Sequence, residues 1–195
     1  MATQEQRRQA TRSNLVEAAR TLFRKNGIEG VTTRAILEAA KVSRGAMYHH
    51  FASLEELIEA VYECEAKESI ERALKSYELT GSPIEDLIGR CLAWLDELAD
   101  PEVARVTVIE GPAAIGWERC RNIEAKHSLA LMVSGLDAAE KAGEIEMEST
   151  ELTARILNAI LAEIAFSIVR AADKQRSRTE AEMTFRQLLQ GLRSS

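Results

Sequence analysis

The run TTRAILEAAKVSRGAMYHHFASLEEL, residues 32–57, gathers Thr33, Arg34, Lys41, Ser43, Arg44, Tyr48, His49 and His50 in a short span. These side chains carry positive charge or donate hydrogen bonds, and small Gly45 and Ala46 lie among them. That mixture suits an anionic polymer better than a reacting centre. The neighbouring histidines do not read as a metal pair, because adjacent helical residues diverge by about 100°. No Cys or carboxylate stands at ligand spacing from them. GxGxxG, P-loop, HExxH and GxSxG patterns are missing from the sequence, so it predicts no catalytic residue, cofactor or metal.

Charge supports the same reading. The net charge is −6, yet residues 1–52 hold nine Lys/Arg against four Glu, which leaves +5 there and −11 on the rest. A basic segment on an acidic protein favours contact with phosphates while limiting nonspecific adhesion elsewhere. With 195 residues the chain has room for one domain, or for a small one joined to a larger one. Ten glycines, three prolines and 5% aromatic residues argue against a turn-rich β architecture and for helices. The longest stretches without Asp, Glu, Lys or Arg are ten residues (Gly45 to Leu54, His127 to Leu136), against about 18 for a membrane span. Charges also occupy the place of a secretory apolar region. The expectation is a cytoplasmic protein without a membrane partner. Cys64, Cys91 and Cys120 lack CxxC spacing and read as thiols.

The elements that position these side chains follow from periodicity and caps. Leu15, Ala18, Ala19, Leu22 and Phe23 form a helical stripe ending at Asn26-Gly27. Thr32 and Thr33 can cap a short helix burying Ile36, Leu37 and Ala40. Ser43 can cap a second over residues 44–50, and Ser53 with Glu56 forms a capping box for a long helix to about Tyr77. Beyond it the patterns predict helices from Ile84 to Leu98, over 102–110 with a stop at Gly111-Pro112, from Trp117 to Ala142 with Gly143 as C-cap, to about Ala172 after Ser149 or Thr150, and over 180–192.

Two short helices and a three-residue turn fit a helix-turn-helix. Over about residues 8–60 the chain resembles the N-terminal domain of the tetracycline-repressor (TetR) family of bacterial one-component regulators. Phe23, Gly27, Thr33, Ile36, Ala40, Val42, Ser43, Gly45, Tyr48, His50, Phe51 and Leu57 stand at the family's usual places. The resemblance implies that Thr33 binds a phosphate and Arg34 a phosphate or groove edge. It implies base reading by Arg44, close approach at Gly45 and Ala46, phosphate contacts from Tyr48 and His50, and a base or flank contact from His49. Arg7, Arg8 and Arg12 form a basic arm. Two residues depart from the pattern: Leu54 replaces a common lysine, and Lys41 stands where the turn usually has glycine.

The expected fold is all-α. A three-helix helix-turn-helix DNA-binding domain covers 1–53, a linking helix 54–79, and a helical ligand-binding and dimerisation domain 80–195. The later part resembles a recurring C-terminal subtype of the family. On the family layout, Trp94, Ile109, Trp117, Cys120, Ile123, Glu124, His127, Leu131 and Phe166 are candidates to line an apolar cavity. The helix over 152–172 is apolar on more than one side, with Leu157, Ile160, Leu161, Ile164 and Ile168 on one and Phe166 nearly opposite. Leu152 and Ile156 widen its flank. With Phe185, Leu188, Leu189 and Leu192 of the last helix it predicts a homodimer. The function expected is a repressor released from a near-palindromic DNA operator by a small apolar or amphipathic effector. Two rivals are a cysteine-based redox or electrophile sensor, and a helical ligand-binding protein or enzyme that never touches DNA.

Overall fold

Thr3 caps the first helix through a reciprocal pair: its hydroxyl accepts the Gln6 N–H at 3.2 Å, and Gln6 Oε1 accepts the Thr3 N–H at 2.8 Å. From that cap a computed structural model describes residues 3–192 as helix joined by short connections, with no strand among them. The elements are α1 (Gln4–Asn26), α2 (Thr33–Ala40), α3 (Arg44–His50), α4 (Leu54–Ser76), α5 (Pro83–Glu97), α6 (Pro101–Ala104), a π-helical turn (Arg105–Glu110), α7 (Gly111–Ile115), α8 (Trp117–Lys141), α9 (Thr150–Arg170) and α10 (Lys174–Gln190).

By packing the chain divides into two units. The first comprises Met1–Glu65 and Pro101–Arg121, and the second Ala66–Asp100 and Asn122–Ser195. Leu15, Ala19, Phe23, Ile36, Met47, Phe51, Leu57 and Val61 form the core of the first unit. A buried ion pair crosses it: Arg20 Nε donates to Glu65 Oε1 at 2.7 Å and Arg20 Nη2 to Glu65 Oε2 at 3.4 Å. The fork-to-fork geometry offsets the desolvation of Glu65, which is fully buried.

In the second unit Ile84, Ile88, Leu92, Leu95, Leu136, Ala154, Phe185 and Leu189 are buried. The start of α5 is secured twice: Ser82 caps it, and the Glu144 carboxylate accepts the Ile84 N–H at 2.8 Å, where the helix dipole favours an anion. Arg178 bonds Asp96 at 2.7 Å and the Leu92 carbonyl at 3.2 Å, and Arg186 bonds Glu85 at 2.7 Å, so α10 is held to α5.

Two expectations need correction. The chain does not stop at Gly111-Pro112. Gly111 N–H bonds the Val106 carbonyl, five residues back, and Pro112 falls in the first turn of α7, where its missing N–H leaves no gap. Gly111 is also required sterically, since a Cβ there would come within 2.5 Å of the buried Tyr62 ring. The last helix begins at Lys174 rather than near 180, capped by Asp173, whose carboxylate accepts the Arg176 N–H at 2.9 Å.

Candidate nucleic-acid interface

Rotation of α3 is set by one buried side chain. Met47 points inward with no exposed surface, so the flanking turn of the helix faces out. Ser43 Oγ accepts the Ala46 N–H at 3.2 Å and Thr32 Oγ1 the Ala35 N–H at 3.2 Å, which fixes where the two short helices start. Between them Lys41 takes φ 55° and ψ 41°, the left-handed conformation that glycine adopts freely. The turn is kept with lysine in it: Val42 N–H reaches the Leu37 carbonyl at 3.1 Å, and Asn14 Nδ2 donates to the Ala40 carbonyl at 2.7 Å.

Lys41, Ser43, Arg44, Gly45, Tyr48 and His49 are exposed, while Thr33, Ala46 and His50 are half-buried. The Arg44 guanidinium carbon lies 5.6 Å from the Tyr48 ring centroid, a contact that narrows the range of both side chains. A Cβ on Gly45 would meet nothing within 4 Å. The fold itself therefore has no need of glycine there, and glycine inside a helix costs about 1 kcal/mol against alanine. Arg34, also exposed, is engaged by Glu38 at 2.7 Å, an i,i+4 pair weak enough in water to yield to a phosphate.

The N-terminal arm is helical and stands beside α3. The Arg12 guanidinium carbon lies 4.9 Å from the Phe51 ring centroid. Burial, then the charges of His49, Arg8 and Arg12, push the His50 imidazole below the usual histidine range. An approaching anion would reverse that shift. At the start of α4 the Ser53 hydroxyl accepts the Glu56 N–H at 3.1 Å, and Glu56 reaches back to the Ala52 N–H.

The remaining sequence candidates fall in different settings. Cys120 and Ile123 are buried. Trp94, Glu124, His127 and Phe166 are half-buried, with Trp94 Nε1 donating to Ser69 Oγ at 3.3 Å. Ile109, Trp117 and Leu131 are exposed. Of the dimer candidates, Leu157, Leu161, Ile168, Phe185 and Leu189 are buried in the chain's own core, and Ile160, Ile164 and Leu192 are half-buried. The outward apolar side chains of α9 and α10 are Leu152, Ile156, Met183 and Leu188. Met183 escaped the sequence reading because polar residues surround it. Burial pushes the Cys91 thiol up to about 12, which leaves it protonated and unreactive at neutral pH. Cys120 is buried and Cys64 half-buried.

A capped helix-turn-helix, with a basic outward face on its second helix, followed by a helical C-terminal part, defines a DNA-binding transcriptional regulator. Two family models match the chain: "Bacterial regulatory proteins, tetR family" over residues 15–61 and "Tetracyclin repressor-like, C-terminal domain" over residues 84–192. The chain belongs to the TetR family.

It is 28% identical to the HTH-type transcriptional regulator UidR of Escherichia coli K12 over 154 residues, 76% of each chain. It is 32% identical to the HTH-type transcriptional repressor KstR2 of Mycolicibacterium smegmatis over 82 residues, 42% of this chain and 40% of that one. The crystal structure of a TetR-family transcriptional regulator from Pectobacterium atrosepticum superposes with a TM-score of 0.84 at 25% identity, covering 100% of this chain and 99% of the other. The family and these relatives are transcriptional regulators, not enzymes.

Proposed function

We propose that this TetR-family regulator is a cytoplasmic homodimeric repressor. Its two α3 helices enter successive major grooves of a near-palindromic operator, and a small apolar or amphipathic effector releases it. The observation that carries the DNA-reading part is the open, exposed face of α3, where Gly45 leaves space between Arg44 and Tyr48. In this reading Arg44 reads a base, and Gly45 and Ala46 admit the groove wall. Thr33, Arg34, Lys41, Ser43, Tyr48 and His50 hold phosphates, and His49 flanks a base. Lys41 supplies part of the charge that Leu54, standing where a lysine is common, does not.

The dimer follows from unfinished burial. An 18-residue window of α9 has mean hydropathy 1.7 and only 39% of it is buried. A second copy would cover Leu152 and Ile156 together with Met183 and Leu188 of α10, and so space the two α3 helices for one face of the duplex. Regulators of this family bind DNA operators and small-molecule ligands, typically as dimers. An effector shifts the equilibrium only by preferring one arrangement of the reading helices.

The test is fluorescence-anisotropy binding to the duplex DNA flanking the protein's own gene, at two salt concentrations, beside an Arg44→Ala/Tyr48→Ala variant. Nanomolar, salt-sensitive binding that the variant loses supports the reading; equal binding by both proteins overturns the assignment of α3.

A further inference from the structure

Helices end with carbonyls that no N–H of their own can reach, and α1 ends at Asn26 with Gly27 beyond it. Arg105 takes up that shortfall. Its Nη1 donates to the carbonyls of Arg24 and Lys25, each at 3.2 Å, at the negative end of the α1 dipole. Glu110 takes the complementary group, for its carboxylate accepts the N–H of Ile28, the second residue past the helix. Arg105 Nε and Glu110 Oε1 are themselves 3.8 Å apart. Gly27, at φ 79°, leaves room for the arrangement, since any Cβ there would lie 2.9 Å from Glu110 Oε1.

Arg105 and Glu110 are five residues apart. On an α-helix such residues diverge by about 140° and could not grip one helix end together. Bonding from residue i to i+5 brings them to the same side, and the segment that carries them, Arg105–Glu110, is π-helical. The gripped stretch leads to Thr32, the cap of α2, through Ile28 and Val31, which are buried.

We propose that Arg105 and Glu110 are positioning residues for the DNA-reading helices, and that the π turn is what places both on the end of α1. Neither reads DNA. They fix residues 27–31, and through them α2 and the turn that orients α3. Only the affinity part of the test depends on the proposed operator binding; the clamp itself does not.

The experiment uses the full chain with Arg105→Leu, which removes the group that holds the Arg24 and Lys25 carbonyls, beside Glu110→Leu and Glu110→Gln. Amide hydrogen exchange over residues 27–31 and anisotropy binding to the gene-flanking duplex are read for each. Arg105→Leu and Glu110→Leu should raise exchange there by about tenfold or more. They should weaken DNA binding by about tenfold, as for a head correctly placed a tenth of the time, with an unchanged salt slope. Glu110→Gln, whose amide oxygen still accepts from Ile28, should recover most of both.

Wild-type exchange and affinity in an Arg105→Leu variant of normal helix content would overturn the proposal. So would a Glu110→Gln variant no better than Glu110→Leu. Should Arg105→Leu not fold, the two Glu110 variants decide by the same readouts. If the wild type binds no flanking DNA, exchange alone judges the clamp, and the loss counts against the proposed operator.

Discussion

Asn14 and Ala40 are joined across the helix-turn-helix turn by a 2.7 Å hydrogen bond, from the side-chain amide of α1 to the last carbonyl of α2. The bond sits one residue before Lys41, whose left-handed backbone would otherwise be held only by the turn's own hydrogen bonds. Removing it by Asn14→Ala should cost about 1–2 kcal/mol in urea denaturation, because a part-buried carbonyl loses its partner. Unchanged stability would mean that water replaces Asn14 without penalty.

Lys41→Gly should move two properties in opposite directions. Relief of the left-handed lysine should raise stability by up to about 1 kcal/mol, less the extra freedom of glycine in the unfolded chain. Loss of the cation proposed to touch phosphate should weaken DNA binding and lower the salt slope by about one. Thermal melting and anisotropy at several salt concentrations check the pair. A melting point that falls would show that the turn gains from lysine.

Gly45→Ala separates folding from reading. With open space around the new methyl, the helix should gain about 0.5–1 kcal/mol, whereas approach to a groove wall should be obstructed. A more stable protein with weakened DNA binding is expected. If affinity holds, α3 does not come close to DNA at this position.

One of the two histidines on α3 gives a pH signature. His50 in the free protein is held below the ordinary histidine range by burial and by His49, Arg8 and Arg12. It is thus less protonated near neutrality than an exposed histidine, and a phosphate beside it would draw the proton back. DNA affinity should rise as pH falls from about 8 to 6, by no more than one proton's worth. His50→Asn should flatten the profile. An equal pH dependence in that variant would assign the effect elsewhere.

On α9 and α10 the proposed dimer face can be charged without disturbing the core. Ile156→Glu with Leu188→Glu should leave helix content unchanged, since both side chains are exposed, but should yield a monomer by light scattering. Binding to a two-half-site duplex should fall with it, because each head then binds alone. A dimer that persists would place the interface on another surface.

The helix-turn-helix was legible because its punctuation is local: Thr32, Ser43 and the Ser53–Glu56 pair each act within three residues of themselves, and all three caps form. The glycine-like turn at Lys41 could be named from the pattern for the same reason. Other features depend on distant partners. Residues 174–179 carry no apolar stripe, so the first turns of α10 rest on Asp173 and on ion pairs such as Arg176–Glu180. Gly111-Pro112 reads as a stop because the sequence does not show a change of helical register. The all-round apolar character of α9 was visible, but which side its own core would claim was not. Arg105 and Glu110 drew no notice, since the groups they hold lie about eighty residues earlier.

The two tryptophans fall one to each packing unit, Trp117 exposed in the first and Trp94 half-buried against Ser69 in the second. Indole emission follows the polarity of its surroundings, so the pair forms a built-in optical probe. Trp94→Phe leaves a protein whose ultraviolet fluorescence reports on the unit containing the reading helices, and Trp117→Phe leaves one that reports on the other. Loss of structure in each can then be timed separately, without attaching a dye.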